Sequence, residues 1–386
     1  MKNYALLTKI IVLFLILSTT FIACKKEDEQ NNIVSTEEPV IETKTIVTDR
    51  EIIWGMDFLP NGDLLFTEKK GKLSRFSNGT VTEITGLPSG ILTNGQGGLL
   101  DLKVHPDYAS NGWIYICYAS LGSGNAAQLN LVRFKLTNNA ITSTENIFKT
   151  SAGNTWYGHY GSRIVFDKNG LLYLSIGEGG SGTYGGANSS NKNAQNVKTE
   201  WGKVHRMTDT GKVPADNPIL PGNTVATTVF SYGHRNPQGL TLNPFTSDIW
   251  ESEHGPRGGD ELNIIQKGKN YGWPLVSYGI NYDGVTISEN PTMADVENPL
   301  HTWTPSIGAC GLAFITNDKF KSWKGNLLAG SLAIKYLSRC EIKDNKVVKE
   351  YKLLENERVR NVKQGTDGNI YVSVENPGRI IQIIPK

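Results

Sequence analysis

The chain has 386 residues, with 41 Gly and 16 Pro; 38% are hydrophobic and 20% charged, a balance that supports a packed core and excludes wholesale disorder. Lys and Arg number 39 against 37 Asp and Glu, a formal charge of +2, so the basic excess of a phosphate-tracking surface is missing and nucleic acid is not expected as a partner. Four Cys without C-x-x-C spacing exclude a zinc ribbon and a disulfide-dense miniature scaffold.

Residues 1–23 read as an export signal. Lys2 and Lys9 form a charged start, Ile10 to Leu17 an apolar run too short for a comfortable membrane span, and Ala23-Cys24 resembles a lipoprotein cleavage box. Lipid on Cys24 would tether the protein to the cell envelope, facing the periplasm or the cell surface. An uncleaved anchor or an ordinary secretory signal with an incidental Cys is the alternative. Residues 24–43, mostly charged and polar without an aromatic residue, read as a flexible tether. Removing 1–23 takes away two Lys and no acid, which leaves no formal net charge. Of the remaining Cys117, Cys310 and Cys340, a 310–340 disulfide and three buried thiols are both compatible with the sequence.

From residue 44 to 386 no long helical periodicity occurs. Six segments share one shape, a tight turn followed by a β-rich run: 60–68 (PNGDLLFTE), 110–118 (SNGWIYICY), 168–178 (KNGLLYLSIGE), 246–255 (TSDIWESEHG), 323–332 (WKGNLLAGSL) and 366–375 (TDGNIYVSVE). Asn-Gly and Asp-Gly supply the positive φ that tight hairpins require. Several runs end in acidic residues, as strands do on emerging at a functional face. The repeat is somewhat longer than the ~40–50 residues of common propeller units, so insertions are implied, with 179–197 and 278–300 the longest candidates. Radial repetition also removes exposed sheet edges. The expected fold is an all-β six-bladed β-propeller, its last blade closed by a strand near 44–53 pairing near 378–385; a pair of β-sandwiches is the runner-up.

The six His show no H-x-H or H-x-x-x-H spacing, and no G-x-S-x-G elbow is present. Costly residue types instead gather beside Gly at strand ends in four places: NGQGGLLD (94–101), YGHYGSRIVF (157–166), SYGHRNPQGL (231–240) leading to ESEHGPRGGDELN (251–263) and NYGWP (270–274), and ERVRNV (357–362). Taken singly, these are turn glycines, a hydrogen-bonded structural His159 and a solvated strand face carrying Arg358 and Arg360.

Together they resemble the soluble quinoprotein sugar dehydrogenases, that is, the pyrroloquinoline quinone-dependent glucose dehydrogenases and, more closely, the aldose sugar dehydrogenases, over nearly all of 50–385. The resemblance implies a six-bladed propeller that oxidises aldoses at the anomeric carbon to aldonolactones and passes electrons to an unidentified acceptor, as monomer or homodimer. It implies His159 as catalytic base and Arg235 as the group that stabilises negative charge developing on the quinone oxygen. Gln96, Arg235, Asn236, Tyr282, Arg358 and Arg360 would contact the quinone. The Gly255 and Pro256 carbonyls would hold the cofactor-linked Ca²⁺, and Glu261 with the Tyr271 backbone a structural Ca²⁺. Two departures stand out. A Lys at the cofactor in many relatives is Ala333 here, with Lys335 two residues on, on the same strand face, as the expected substitute. Gly158 replaces the Asp that precedes the His in glucose dehydrogenases. A Ca²⁺-dependent sugar lactonase and a non-catalytic propeller binding module are the competing readings.

Overall fold

The computed structural model describes residues 38–180 and 184–386; the expected signal at 1–23, Cys24 and most of the expected tether lie outside the described residues. Six four-stranded antiparallel sheets follow one another, and their first strands touch in a closed ring: Ile53–Phe58, Leu99–Val104, Ile164–Phe166, Pro237–Leu242, Ala309–Phe314 and Arg358–Gln364. This is a six-bladed β-propeller. Its second strands are Leu64–Glu68, Ile114–Leu121, Leu172–Ile176, Ile249–Glu253, Leu327–Ser331 and Ile370–Glu375. Each is the body of one of the six repeated segments. Two residues before each of them the chain turns with positive φ, at Gly62, Gly112, Gly170, Ser247, Gly325 and Gly368, the conformation that a tight turn between twisted strands demands.

The last blade takes three strands from the C-terminal end and its outer strand, Ile41–Arg50, from the N-terminal end. That strand pairs antiparallel with Gly378–Pro385, Ile41 opposite Pro385 and Arg50 opposite Gly378. It starts three residues earlier than the sequence suggests, so 41–43 are strand rather than tether. Closing the ring with both chain ends removes the open edge.

The core lies between blades. Tyr115, Leu129 and Leu131 of the second blade meet Ile164, Leu172 and Leu174 of the third, and equivalent clusters fill every other junction. Strands buried on both faces need continuous apolar runs, which is why the second strands read as LLF, LYL and IYV. The third blade carries two long connections, 177–202 and 208–228, and the fourth carries 266–300. The first and third of these pack on each other through Ala194, Trp273 and Ile287. The second was not foreseen. Cys117, Cys310 and Cys340 are buried and free, so the 310–340 disulfide does not form.

Candidate active site

In every blade the first strand begins, and the second ends, at the same face. The segments entering the first strands carry Gln96, His159, Arg235 and Asn236. Arg358 opens the first strand of the last blade. The second strands deliver Glu178, Glu253 with His254, and Glu375. Residues far apart in sequence are thus brought to one mouth of the ring.

His159 is 4% exposed and has the unusual φ of 44° for a residue with a side chain, a local strain of the kind that collects at functional positions. Its backbone N–H donates to Gln96 Oε1 at 2.8 Å. Its carbonyl lies so close to Gly177 that a Cβ there would come within 2.2 Å of the oxygen, so only glycine fits. Its Nδ1 is 3.1 Å from Glu178 Oε1, and Glu178 Oε2 accepts from Trp273 Nε1 at 2.6 Å. A carboxylate accepts, so the ring proton sits on Nδ1 and Nε2 keeps the lone pair. Burial, and then the nearby Arg235 charge, hold the imidazole well below its usual range, so it is neutral at pH 7.

Arg235, 3% exposed, donates from Nη1 to the carbonyls of His254 (3.1 Å) and Gly255 (2.8 Å), and from Nη2 to the Tyr282 hydroxyl at 3.4 Å. Its guanidinium lies 5.0 Å from the Trp273 ring centre. Asn236 is fully buried and its Oδ1 accepts from the Gly161 N–H at 3.2 Å. Across the pit, Arg358 Nε and Arg360 Nε each donate at 2.6 Å to one oxygen of Glu375, and Arg360 Nη1 reaches Gln238 Oε1 at 2.6 Å. The two arginines therefore do not form a solvated face; they share one buried carboxylate. Burial alone would raise the Glu375 pKa, but Arg360 and Arg358 hold it low. Beneath them Arg163 donates to the carbonyls of Gln238, Trp54 and Arg360 and to Asp101, which ties its own blade to four others as a floor. Burial and then the charges of Arg235, Arg360 and His159 depress the His254 pKa, which places that imidazole among them.

Buried polar atoms in this pit find no partner among the described residues: Arg235 Nε, Asn236 Nδ2 and His254 Nε2. Each such atom carries a desolvation cost unless something in the pit satisfies it.

Beside the pit lies a cluster of acids. Glu251, Glu253 and Glu261 are close enough for burial and then Glu253's charge to push Glu251 and Glu261 well above the usual carboxylate range. Ligand atoms of His234, Glu251 and Glu253 lie within 4.8 Å of one another. Among the described residues Asn263 Nδ2 bridges Glu251 and Glu261, at 3.0 and 3.3 Å, while Glu251 Oε1 and Asn263 Oδ1 stay unpartnered there. Buried carboxyls bridged by a single amide offer oxygen donors of the kind a hard cation takes. Arg235, Glu253, Gly255, Glu261 and Tyr271 line one cavity of about 10 Å³, about the size of one water. The two metal positions expected from the sequence are therefore neighbours.

The structure brings Gln96, His159, Arg235, Asn236, Gly255, Tyr282, Arg358 and Arg360 to one mouth. Pro256 is also there, its carbonyl 3.4 Å from Ser306 Oγ. Lys335 is a correction. The second strand of the fifth blade ends at Ser331, and Lys335 sits in the following turn with φ 66°, exposed. Two-residue strand periodicity does not extend to it, so it does not share a strand face with Ala333. Glu178, His254, Trp273, Glu251, Glu253 and Glu375 were missed, although acidic residues ending the repeated runs were the available signal.

A closed propeller whose mouth gathers an imidazole–carboxylate pair and converging guanidinium groups has the build of a propeller oxidoreductase. Residues 50–382 match the Glucose / Sorbosone dehydrogenase family, and the chain belongs to that family, whose named members include quinoprotein sugar dehydrogenases. Aldose sugar dehydrogenase YliI of Escherichia coli (strain K12) is 36% identical over 347 residues, covering 86% of this chain and 90% of that protein. The crystal structure of the soluble aldose sugar dehydrogenase from E. coli in its apo-form superposes with a TM-score of 0.82 at 32% identity, covering 90% of this chain and 100% of the other. The PQQ-bound form of an aldose sugar dehydrogenase from Streptomyces coelicolor superposes with a TM-score of 0.71 at 26% identity, over 90% and 100%.

Proposed function

We propose that the chain oxidises aldoses at the anomeric carbon to aldonolactones, using pyrroloquinoline quinone and Ca²⁺. The observation that carries this reading is the pit itself. Three arginines and three unpartnered buried polar atoms gather at the mouth beside a neutral, carboxylate-anchored imidazole. A flat tricarboxylate suits that set: guanidinium groups recognise carboxylates bidentately, and the orphaned atoms would gain partners. The Gly255 and Pro256 carbonyls are hard oxygen donors of the type Ca²⁺ takes, and each carbonyl retains a lone pair beyond the hydrogen bond it accepts. The acid cluster around Glu261 and Tyr271 suits a second such ion.

When bound, the quinone supplies a hydride-accepting centre polarised by its Ca²⁺. His159 Nε2 takes the proton of the anomeric hydroxyl. Glu178 holds Nδ1–H, which sets the tautomer and stabilises the imidazolium that forms. Arg235, fixed by the 254–255 carbonyls, offers positive charge where negative charge develops. Gln96 sets the backbone on which the imidazole rides. Electrons then pass to an unidentified acceptor.

The test is dye reduction by cofactor-free protein loaded with pyrroloquinoline quinone and Ca²⁺, over a panel of aldoses. Sugar-dependent reduction is expected. No reduction, together with no change in quinone absorbance, rejects the reading; lactone hydrolysis without quinone would replace it with a hydrolase. We also propose lipid attachment at Cys24 in the cell envelope, supported by the charged–apolar–small grammar of residues 1–24. Cys24→Ala should move the protein from the membrane to the soluble fraction, and an unchanged distribution rejects the anchor.

A further inference from the structure

The first strands that begin at the pit end at the opposite face, and the ends of all six line one cavity of about 400 Å³ there, a size within the range of small-molecule sites. The floor built on Arg163 separates it from the pit. Its partners Trp54, Asp101, Gln238 and Arg360 each precede, by two or three positions on the same strand, the cavity residues Asp57, Lys103, Leu240 and Lys363.

The wall of this cavity is divided between two halves of the ring. Blades three, four and five contribute Val165, Leu240, Leu242, Leu312 and Phe314. Pro244 continues this wall, and the next residue, Phe245, is 53% exposed with its ring 6.5 Å from that of Phe314. Its backbone is fixed, since the Phe245 N–H donates to Asn243 Oδ1 at 3.0 Å. An apolar ring is thus held in water at the rim, where covering it would be favourable. Blades six, one and two contribute the charges. Asp57 Oδ2 lies 2.7 Å from Lys103 Nζ and accepts from the Val104 N–H at 3.0 Å, so this carboxylate is committed to Lys103. Lys363 is half-buried and, among the described residues, makes no hydrogen bond or ion pair. Burial, and then the Lys103 charge, hold its pKa below the usual lysine range, the mark of an ammonium that lacks a counter-charge. Asp57 is the single carboxylate among the described lining residues, so the cavity is one negative charge short. That shortfall suits a monoanion rather than a polyanion, a wall of hydrocarbon on the facing blades suits an apolar body, and neither suits a sugar or a metal ion.

We propose that this cavity binds a single-chain carboxylate, a monoanion with an unbranched apolar body, with its head at Lys363 and its body along blades three to five. The site lies beyond the floor of the pit and does not depend on the aldose-oxidising reading. Calorimetric titration of the full chain with octanoate tests it, and one site per chain is expected. Octan-1-ol lacks the charge and butyrate lacks most of the body, so each should bind at least tenfold more weakly. Lys363→Met should weaken octanoate roughly tenfold and leave octan-1-ol unchanged, while Lys363→Arg should keep the affinity for octanoate. Because Lys363 has no partner to orphan, its removal should not lower the Tm. Leu242→Glu, at a partly exposed position of the apolar wall, is a second and independent variant that should abolish octanoate binding by setting a carboxylate beside the ligand. Absence of octanoate binding, equal affinity for octanoate and octan-1-ol, butyrate binding as tight as octanoate, or octanoate binding that survives both Lys363→Met and Leu242→Glu overturns the site.

Discussion

Replacing Glu375 by Gln perturbs the pit at one atom. Glu375 is 4% exposed and neutralises two arginines through separate oxygens, each at 2.6 Å. Removing one partner of a buried ion pair leaves an uncompensated charge and typically costs ~3–5 kcal/mol. Arg360, with its side chain 10% exposed, bears most of that cost; Arg358, at 34%, is partly screened by water and is discounted. Gln retains an acceptor for one of the two, so a loss of about 2–3 kcal/mol follows. With an unfolding entropy of ~2.1 cal/mol/K per residue, a propeller of this size should melt ~3–4 °C lower. An anionic cofactor would return the missing negative charge. Pyrroloquinoline quinone with Ca²⁺ should therefore raise the Tm of Glu375→Gln more than that of the parent, by ligand linkage. Differential scanning calorimetry with and without the quinone measures both effects. A variant that melts within a degree of the parent, or gains no more from the quinone, would show that Glu375 is not the counter-charge of the pit.

The pH dependence of turnover tests the state of His159. The base must be neutral to accept a proton, and burial with the Arg235 charge keeps its folded pKa well below 6.5. Dye reduction at saturating sugar should hold level from pH 8 down through 6.5 and fall only well below it; an acid limb at 6.5 or above would contradict the buried imidazole. The acid cluster makes a thermal prediction of opposite sign. Glu251 and Glu261 have raised folded pKa values, so cation-free folded protein binds more protons than unfolded chain above about pH 4.5 and loses stability as pH rises from there toward those folded values. A Ca²⁺ ion held there displaces those protons, so the rise in Tm on adding Ca²⁺ should be larger at pH 8 than at pH 5.5; a shift independent of pH would place the ion elsewhere.

Local chemistry made the scaffold legible before any coordinates. A turn that needs positive φ leaves its mark in adjacent residues, and six Asn-Gly, Asp-Gly or equivalent turns ahead of β-rich runs mark six hairpins. The last blade's closure was readable because both partner strands are β-rich. His159 and Arg235 stood out as costly residue types beside glycine, and the 358/360 pair as two arginines on one strand face.

What sequence could not supply was partnership. Glu178 lies 19 residues from His159, Trp273 lies 95 from Glu178 and Gln238 lies 122 from Arg360. The antiparallel return of the second strand sets Glu178 against His159, whereas the closed ring sets Gln238 against Arg360 and the long connection of the fourth blade brings Trp273 to Glu178. Periodicity misled at Lys335, because the strand stops at Ser331 and a turn does not preserve a face. Hairpins follow from interactions a few residues apart, and strand pairing within a blade sets Glu251 and Glu253 beside Asn263 and Glu261 and Arg358 beside Glu375, whereas the contact of Arg360 with Gln238 and of Arg163 with Trp54 and Asp101 arises from ring closure, which brings blades together irrespective of their separation along the chain.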